Sequence, residues 1–145
     1  MTSRILNNLN GAGLYGVEFF IKGSEIIFSE LSPRPHDTGM VTLISQNINE
    51  FELHSRAFLN LPIPYIDLIE PSATRVILSD KEYMNPIYKG LNEALEFEKT
   101  KVLIFGKPVS KKGRRMGVVL SSNSDINLAR KNADEAARKI KVRNK

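Results

Sequence analysis

The sequence predicts an α+β protein built in two lobes. β-rich runs flank a glycine turn near the N-terminus, two further apolar runs flank a polar loop in the C-terminal half, and helix-spaced apolar residues end the chain. A stretch with three prolines, residues 61–72, separates the halves because prolines break regular structure. We therefore predict a first lobe at 1–62, a linker at 63–72 and a second lobe at 73–145.

The first lobe is predicted to begin with the end of a helix and a β-hairpin. The run TSRILNNLNGAG has the pattern of last helical turns stopped by Gly11 and Gly13. The runs YGVEFFI and EIIFSEL then flank Lys22-Gly23-Ser24, which is the composition of a hairpin turn. Two strands that pair antiparallel are therefore expected here.

Two helices should follow the hairpin. The run TGMVTLISQN predicts a short helix with Thr38 near its N-cap. The run NINEFELHSRAFLNL predicts a second one, with Asn49 as its cap, Glu52 completing a capping box and Pro62 ending it.

The second lobe should combine a sheet with two helices. ATRVILS is a predicted strand, and Asn85-Pro86 has the composition of an N-cap and first position of a helix that runs to about Phe97. KVLIF and RMGVVLSS are predicted strands joined by the polar loop GKPVSKKGR. Helical spacing of apolar residues from Ser124 to about Val142, supported by an Asp134–Arg138 pair, predicts the last helix.

Composition excludes several classes of site. Apolar residues make up 41% and charged residues 26%, as in ordinary globular proteins. The absence of cysteine excludes disulfides and thiolate metal sites, and two histidines, His36 and His54, are too few for a histidine-based one. We expect a cytoplasmic protein, without a membrane span or signal peptide. Its net charge of +5 favours anionic partners, whether nucleic acid or phosphorylated metabolites.

Two glutamates stand in the hairpin in otherwise apolar company. Because side chains alternate along a strand, the loop length decides whether Glu18 and Glu30 share a face. An odd loop places both on one face, and a two-residue loop places them on opposite faces. Carboxylates close together need a cation between them, and Mg²⁺ carried by nucleotide phosphates needs only one or two protein carboxylates. The alternative is that each glutamate is solvated on an open hairpin face.

A rigid polar loop follows the second glutamate. Two prolines fix the backbone around Arg34, and His36 and Asp37 come directly after it. Glu30 precedes this loop, and the planar guanidinium of Arg34 suits phosphate oxygens. Hairpin and loop together indicate a site for a metal-bound polyphosphate.

The segment SELSPRPHDTGMVTLISQ, followed later by FGKP and RRMGV, resembles the formate-dependent glycinamide ribonucleotide transformylases of the ATP-grasp superfamily. The resemblance runs from about Ser3 to Val142 and is weakest between Asp80 and Thr100. The related carboxyaminoimidazole ribonucleotide synthetases share Pro-Arg-Pro-His but continue with Asn-Ser-Gly-His. The resemblance implies the C-terminal half of an ATP-grasp domain, an antiparallel hairpin plus helices, followed by a small α/β lobe.

The resemblance also implies roles for individual residues. Glu18 and Glu30 would bind magnesium on ATP. Four residues would bind glycinamide ribonucleotide: Asp37, Lys107, Arg114 and Arg115. The implied reaction activates formate with ATP to formyl phosphate, which the substrate amine then attacks. From its position beside the metal ligands, we infer that Arg34 contacts the terminal phosphate.

Members of this family carry N-terminal domains with a glycine-rich loop and an adenine pocket, and no such loop occurs in this sequence. We therefore expect weak ATP binding alone and a separate N-terminal chain as partner. We also expect exposed apolar surface around residues 19–27, covered by self-association into a homo-oligomer. The alternatives are an inactive truncated remnant or a subunit of a related ribonucleotide carboxylase. A basic nucleic-acid-binding domain is disfavoured because no stacking or DNA-reading motif is present.

Overall fold

The computed structural model describes residues 1–9 and 11–145, which form two compact units, Met1–Asp67 and Leu68–Lys145. Antiparallel sheets and helices occur together, which confirms the predicted α+β class. The division between the units falls inside the proline-rich stretch. The domain limits 1–62, 63–72 and 73–145 themselves stay a prediction.

The first unit consists of a two-stranded sheet and short helices. Its elements are α1 (Thr2–Leu6), β1 (Gly16–Lys22), β2 (Glu25–Ser32), a 3-10 helix (Asp37–Val41), α2 (Thr42–Ser45) and α3 (Glu50–Phe58). β1 and β2 pair antiparallel around Gly23, whose φ of 60° suits glycine, so the predicted hairpin is confirmed.

In the first unit, α1 ends earlier than predicted, and the second helical segment begins close to Thr38. α1 ends at Leu6, earlier than the predicted glycine stop, because the Asn8 side chain donates to the Arg4 carbonyl (2.8 Å). Asn10 lies outside the described residues. The second helical segment begins at Asp37, and its N-cap is His36, whose Nδ1 lies 3.5 Å from Thr38 N. Thr38, predicted to lie near the N-cap, is the second residue of this segment.

The N-terminus of α3 follows its prediction more closely. Asn49 Oδ1 accepts from the backbone N–H groups of Phe51 (3.0 Å) and Glu52 (3.1 Å), which confirms the predicted cap. The Glu52 carboxylate binds Arg56 one turn later (2.6 Å). α3 ends at Phe58, before Pro62 is reached.

The second unit is a three-stranded antiparallel sheet, in the order β3–β8–β6, with α5 packed against it. Its elements are β3 (Ser72–Leu78), β4 (Tyr83–Met84), β5 (Ile87–Lys89), α4 (Leu91–Leu95), β6 (Thr100–Ile104), β7 (Val109–Ser110), β8 (Arg115–Ser122), α5 (Ile126–Lys139) and β9 (Lys141–Arg143). Its core includes Met116, Val119 and Ala136, all fully buried. The predicted strands β3, β6 and β8 and the Asp134–Arg138 pair (2.7 Å) are confirmed.

The helix predicted from Asn85-Pro86 to Phe97 is wrong. Asn85 adopts a left-handed conformation (φ 46°) and donates its N–H to the Pro108 carbonyl (2.7 Å), so it forms a turn. Residues 87–89 then pair with β9, far along the chain, and the helix begins only after Gly90. Long-range pairing therefore overrides the local capping signal.

Candidate functional site

A β-bulge brings the two glutamates of the hairpin together. Lys22 pairs with Glu25, so the loop has two residues, and the regular register continues to Phe19 and Phe28. The register then shifts by one residue, and Glu18 pairs with Glu30. Directly opposed residues project from the same face of a sheet. The prediction that a two-residue loop separates the glutamates is therefore wrong, because the bulge absorbs the extra residue.

His36 joins the two carboxylates. One donor atom each from Glu18, Glu30 and His36 lies within 4.8 Å of the others, a grouping that can hold a metal ion. His36 Nε2 lies 3.5 Å from Glu18 Oε1, and the imidazole is only 15% exposed. The sequence prediction counted His36 out of any metal site. The position of His36 beside the glutamates was not predicted because it depends on the fold. The Pro-Arg-Pro loop folds back over the strand ends, and Gly16 leaves room beside His36.

The Asp37 and Thr38 side chains fix the other edge of the imidazole. His36 Nδ1 lies 3.0 Å from Thr38 Oγ1 and 3.4 Å from Asp37 Oδ1. The ring is therefore held on both sides, with Nε2 facing the carboxylate pair. Asp37, predicted as a substrate-binding residue, therefore contacts the imidazole that faces the predicted metal ligands.

The Glu50 side chain holds the backbone of this loop through a hydrogen bond, a role that the sequence did not predict. Its carboxylate is buried, and Oε2 accepts from the His36 backbone N–H (2.9 Å). Gly39 makes this possible, because a Cβ there would collide with the carboxylate. Oε1 has no hydrogen-bond partner among the described residues, and burial raises the pKa of Glu50. An acidic residue in the first turn of a predicted helix is common, so the sequence alone gave no signal for this role.

A cavity of about 280 Å³ adjoins the loop. Its lining includes Tyr15, Arg34, His36, Thr38, Gln46 and Glu50. Arg34 is exposed, and its Nη1 donates to the Pro35 carbonyl (3.1 Å). The guanidinium predicted to contact phosphate therefore borders the same cavity as His36.

Three predicted substrate-binding residues come together in the second unit. Lys107 Nζ donates to the Arg115 carbonyl (2.7 Å) and lies 5.3 Å from the centroid of the Phe105 ring. Arg114 Nη1 donates to the Val109 carbonyl (2.6 Å). Lys107, Arg114 and Arg115 thus form one basic cluster at the start of β8, and both arginines are exposed.

The apolar surface expected on the hairpin is confirmed. Phe20 is 66% exposed and Ile21 is 77% exposed, and Ile26, Ile27 and Phe28 on β2 are also exposed. We call these five residues the hairpin apolar surface. No helix within residues 1–9 and 11–145 combines the length and apolar character that a membrane crossing requires.

Comparison with known families divides the chain in two. Residues 1–51 match the ATP-grasp domain, and residues 72–140 match the family described as "PurT, C-terminal". Both families were expected from the sequence motifs, and the matches confirm that expectation.

Individual relatives agree with the family matches. The formate-dependent phosphoribosylglycinamide formyltransferase of Prochlorococcus marinus strain AS9601 is 92% identical over 142 residues, which are 98% of this chain and 36% of that protein. The glycinamide-RNase-transformylase T of Mycobacterium tuberculosis has 34% identity and a TM-score of 0.75 over 96% of this chain and 39% of its own. The N5-carboxyaminoimidazole ribonucleotide synthetase of Thermotoga maritima has 31% identity and a TM-score of 0.89 over 99% of this chain and 41% of its own.

The chain spans little more than a third of the length of the curated relatives it matches. Within that span the similarity is continuous across both units, including the hairpin, the Pro-Arg-Pro loop and the basic cluster. The chain therefore matches the C-terminal part of the formate-dependent phosphoribosylglycinamide formyltransferases, with an ATP-grasp segment followed by a segment of the "PurT, C-terminal" family.

Proposed function

We propose that this chain supplies the cation-binding carboxylates and part of the ribonucleotide-binding surface of a formate-dependent phosphoribosylglycinamide formyltransferase. The observation that carries the proposal is the bulge that places Glu18 opposite Glu30, next to the Pro-Arg-Pro loop. That arrangement occurs in a chain 92% identical to a named formyltransferase.

The first unit fits a divalent cation bound to ATP phosphates. Glu18 and Glu30 offer the carboxylate oxygens that Mg²⁺ prefers, and their donor atoms are close enough to share one ion. When bound, Mg²⁺ neutralises negative charge that develops on the transferred phosphoryl group. Arg34 lies in the Pro-Arg-Pro loop that follows β2, where its exposed guanidinium can contact the terminal phosphate.

The second unit fits the phosphate of a ribonucleotide. Two adjacent arginines and a lysine give several N–H donors and a local positive charge, which suit a phosphate dianion. In the proposed reaction Lys107, Arg114 and Arg115 hold the 5′-phosphate of glycinamide ribonucleotide. Asp37 accepts hydrogen bonds from its donor groups. ATP phosphorylates formate, and the substrate amine displaces phosphate from the resulting formyl phosphate.

A related ribonucleotide carboxylase is the second candidate, because the synthetase of Thermotoga maritima has the higher TM-score. Fold similarity does not determine the substrate, however, since one fold hosts many reactions. This chain has Asp37-Thr38-Gly39 after Pro-Arg-Pro-His, where the carboxyaminoimidazole synthetases have Asn-Ser-Gly-His. Formate, rather than bicarbonate, is therefore the proposed one-carbon substrate.

A chimera tests the proposal. This chain replaces the matched C-terminal part of the Prochlorococcus marinus formyltransferase. ATP turnover is measured with glycinamide ribonucleotide plus formate and, separately, with aminoimidazole ribonucleotide plus bicarbonate. We expect turnover that requires formate. The unaltered relative is the control. A folded chimera without formate-dependent turnover would contradict the proposal, and bicarbonate-dependent turnover would favour the carboxylase.

Substitutions in the chimera assign the two sets of residues. Glu18→Gln and Glu30→Gln should each lower kcat by about 100-fold or more, as expected when transition-state charge loses its partner. Arg114→Ala with Arg115→Ala should raise the KM for the ribonucleotide with less effect on the KM for ATP. Lys111→Ala with Lys112→Ala is the matched control, since both lysines are exposed on the same loop. If both double substitutions raised the KM for the ribonucleotide equally, Arg114 and Arg115 would not have the proposed role.

The partner of this chain also stays a proposal. We propose that turnover needs the segments that the relatives carry outside the matched region. Co-purification of the chain from its own cells, with mass spectrometry, tests whether a second chain supplies them. A stoichiometric partner with a glycine-rich nucleotide loop supports a split enzyme, and elution with itself alone supports the remnant hypothesis.

A further inference from the structure

The imidazole of His36 faces the Glu18–Glu30 pair, and no role in metal binding was expected for it. We propose that His36 Nε2 is a third protein ligand of the cation held by Glu18 and Glu30, so that this site binds Mn²⁺ in preference to Mg²⁺. The inference deepens the metal part of the proposed function and rests on it.

The distances fit one shared ion. Ligand atoms around a divalent cation lie roughly 2.0–2.6 Å from it, so two of them are at most about 5 Å apart. One donor atom each from Glu18, Glu30 and His36 meets that limit, all lying within 4.8 Å of one another. The bulge is essential to this arrangement, because without it Glu30 would project from the opposite face.

The His36 ring is already oriented for such a role. A metal-binding histidine usually donates its second ring N–H to a carboxylate or another acceptor, which fixes the tautomer. His36 Nδ1 lies 3.4 Å from Asp37 Oδ1, which is an acceptor, and 3.0 Å from Thr38 Oγ1, which can also accept. With Nδ1 protonated, the Nε2 lone pair is left for the cation.

The surrounding fold holds the ring in place. Glu50 Oε2 accepts from the His36 backbone N–H (2.9 Å), and the imidazole itself is only 15% exposed. A Cβ at Gly16 would lie 3.0 Å from the His36 Cβ, so glycine leaves room for this position. His54, the other histidine, has a different task, since its Nδ1 accepts from the Leu14 N–H (3.0 Å).

The competing tautomer gives a different result. If Nδ1 accepts from Thr38 N, at 3.5 Å, then Nε2 carries the proton and faces Glu18 as a donor. In that case His36 orients a carboxylate and binds no metal. The two tautomers differ in whether nitrogen touches the ion.

The chemical type of the ligand atoms determines which metal ion the site binds more tightly. Carboxylate and water ligands suit Mg²⁺, whereas an imidazole nitrogen raises affinity for first-row transition metals. A site with two carboxylates and one imidazole should therefore discriminate between Mn²⁺ and Mg²⁺, ions of equal charge. Loss of the nitrogen should reduce Mn²⁺ affinity much more than Mg²⁺ affinity.

Pulsed electron paramagnetic resonance of Mn²⁺ bound to the full chain tests the inference. We expect a ¹⁴N coupling from a directly bound imidazole, replaced by a ¹⁵N coupling when the histidines are ¹⁵N-labelled. This measurement needs no variant. His36→Asn, whose side-chain amide can donate from near the Nδ1 position but which lacks Nε2, should remove the coupling and weaken Mn²⁺ binding about 10- to 100-fold. His54→Asn is the matched control and should retain the coupling.

The outcomes separate this inference from the proposed function. Mn²⁺ binding that requires Glu18 and Glu30 but shows no nitrogen coupling would overturn the role of His36 and leave the carboxylate site standing. Equal weakening of Mn²⁺ and Mg²⁺ by His36→Asn would also overturn it. Absence of Mn²⁺ binding, or binding unaffected by Glu18→Gln and Glu30→Gln, would overturn both the inference and the proposed cation site.

Discussion

The two units differ in where they place their apolar side chains. In the second unit Met116, Val119 and Leu120 are completely buried. In the described part of the first unit, Ile48 is the one apolar residue classed as buried, and the hairpin apolar surface lies in solvent. Burial of apolar area is the main source of folding free energy. The second unit is therefore organised by a core of its own.

The first unit is organised by polar contacts instead. The Glu50 carboxylate holds the His36 backbone, Thr42 Oγ1 accepts from the Glu50 N–H (2.8 Å), and the Thr42 hydroxyl donates to the Gly39 carbonyl (2.7 Å). These bonds fix the loop that carries the candidate site. The geometry of this site therefore depends on hydrogen bonds, and its apolar strands contribute little by burial within their own unit.

The largest effect should come from the core of the second unit. Leu120→Ala removes a completely buried side chain and should lower the free energy of unfolding of that unit by about 2–5 kcal/mol. Phe20→Ala, in the hairpin apolar surface, should change stability by only about 0.5 kcal/mol. Urea unfolding followed by circular dichroism measures both. Equal losses would contradict the contrast between the units.

A smaller effect is expected where the polar contacts are tightest. Gly39→Ala places a Cβ against the Glu50 carboxylate and should destabilise the first unit by about 1–3 kcal/mol. The same substitution in a Glu50→Ala background should cost clearly less, because the carboxylate is gone. Hydrogen exchange of the amides at 36–42 measures the local effect. A cost that is independent of Glu50 would show that the loop is not held by this contact.

The hairpin apolar surface should affect association more than stability. If self-association covers it, Phe20→Lys with Ile21→Lys should shift the chain toward monomer and leave the unfolding free energy almost unchanged. Met84→Lys is the matched control, since Met84 is 63% exposed in the second unit. Sedimentation over a wide concentration range decides. If the unsubstituted chain is monomeric over the whole range, self-association does not cover this surface.

The smallest effect should come from a surface ion pair of the second unit. The Lys99 ammonium, 2.7 Å away, lowers the pKa of Glu70 from its usual 4.5. A lowered pKa stabilises the folded state above the unfolded pKa, and this contribution disappears as the pH falls through the folded pKa. The stability difference between the native chain and Lys99→Met should therefore be present at pH 7 and vanish in acid. A difference that persists at low pH would point to packing.

Local signals in the sequence predicted those parts of the fold that local chemistry controls. The turn at Gly23, the cap at Asn49 and the apolar spacing of α5 all act over a few residues, and each is confirmed. The helix predicted to begin at Asn85-Pro86 was wrong because residues 87–89 pair with β9, which lies more than fifty positions away.

The candidate site was likewise predictable only where local sequence controls it. Its residue types were readable from the hairpin and the Pro-Arg-Pro loop. Their geometry was not, because it depends on a register shift inside a strand and on a loop that folds back over it. His36 and Glu50 consequently gained roles only when their neighbours in space were known.

The bulge also determines which mutations the hairpin tolerates. Ser29 is the residue that the register passes over, and it is exposed, so its side chain contributes little and many replacements should be neutral. Deleting it would leave Glu18 opposite Glu30 in a regular ladder but straighten the strand, since bulges bend it. Arg34 and His36 would then point elsewhere. Across related sequences, the number of residues between the two glutamates should therefore be kept more strictly than the identity of the residue at position 29.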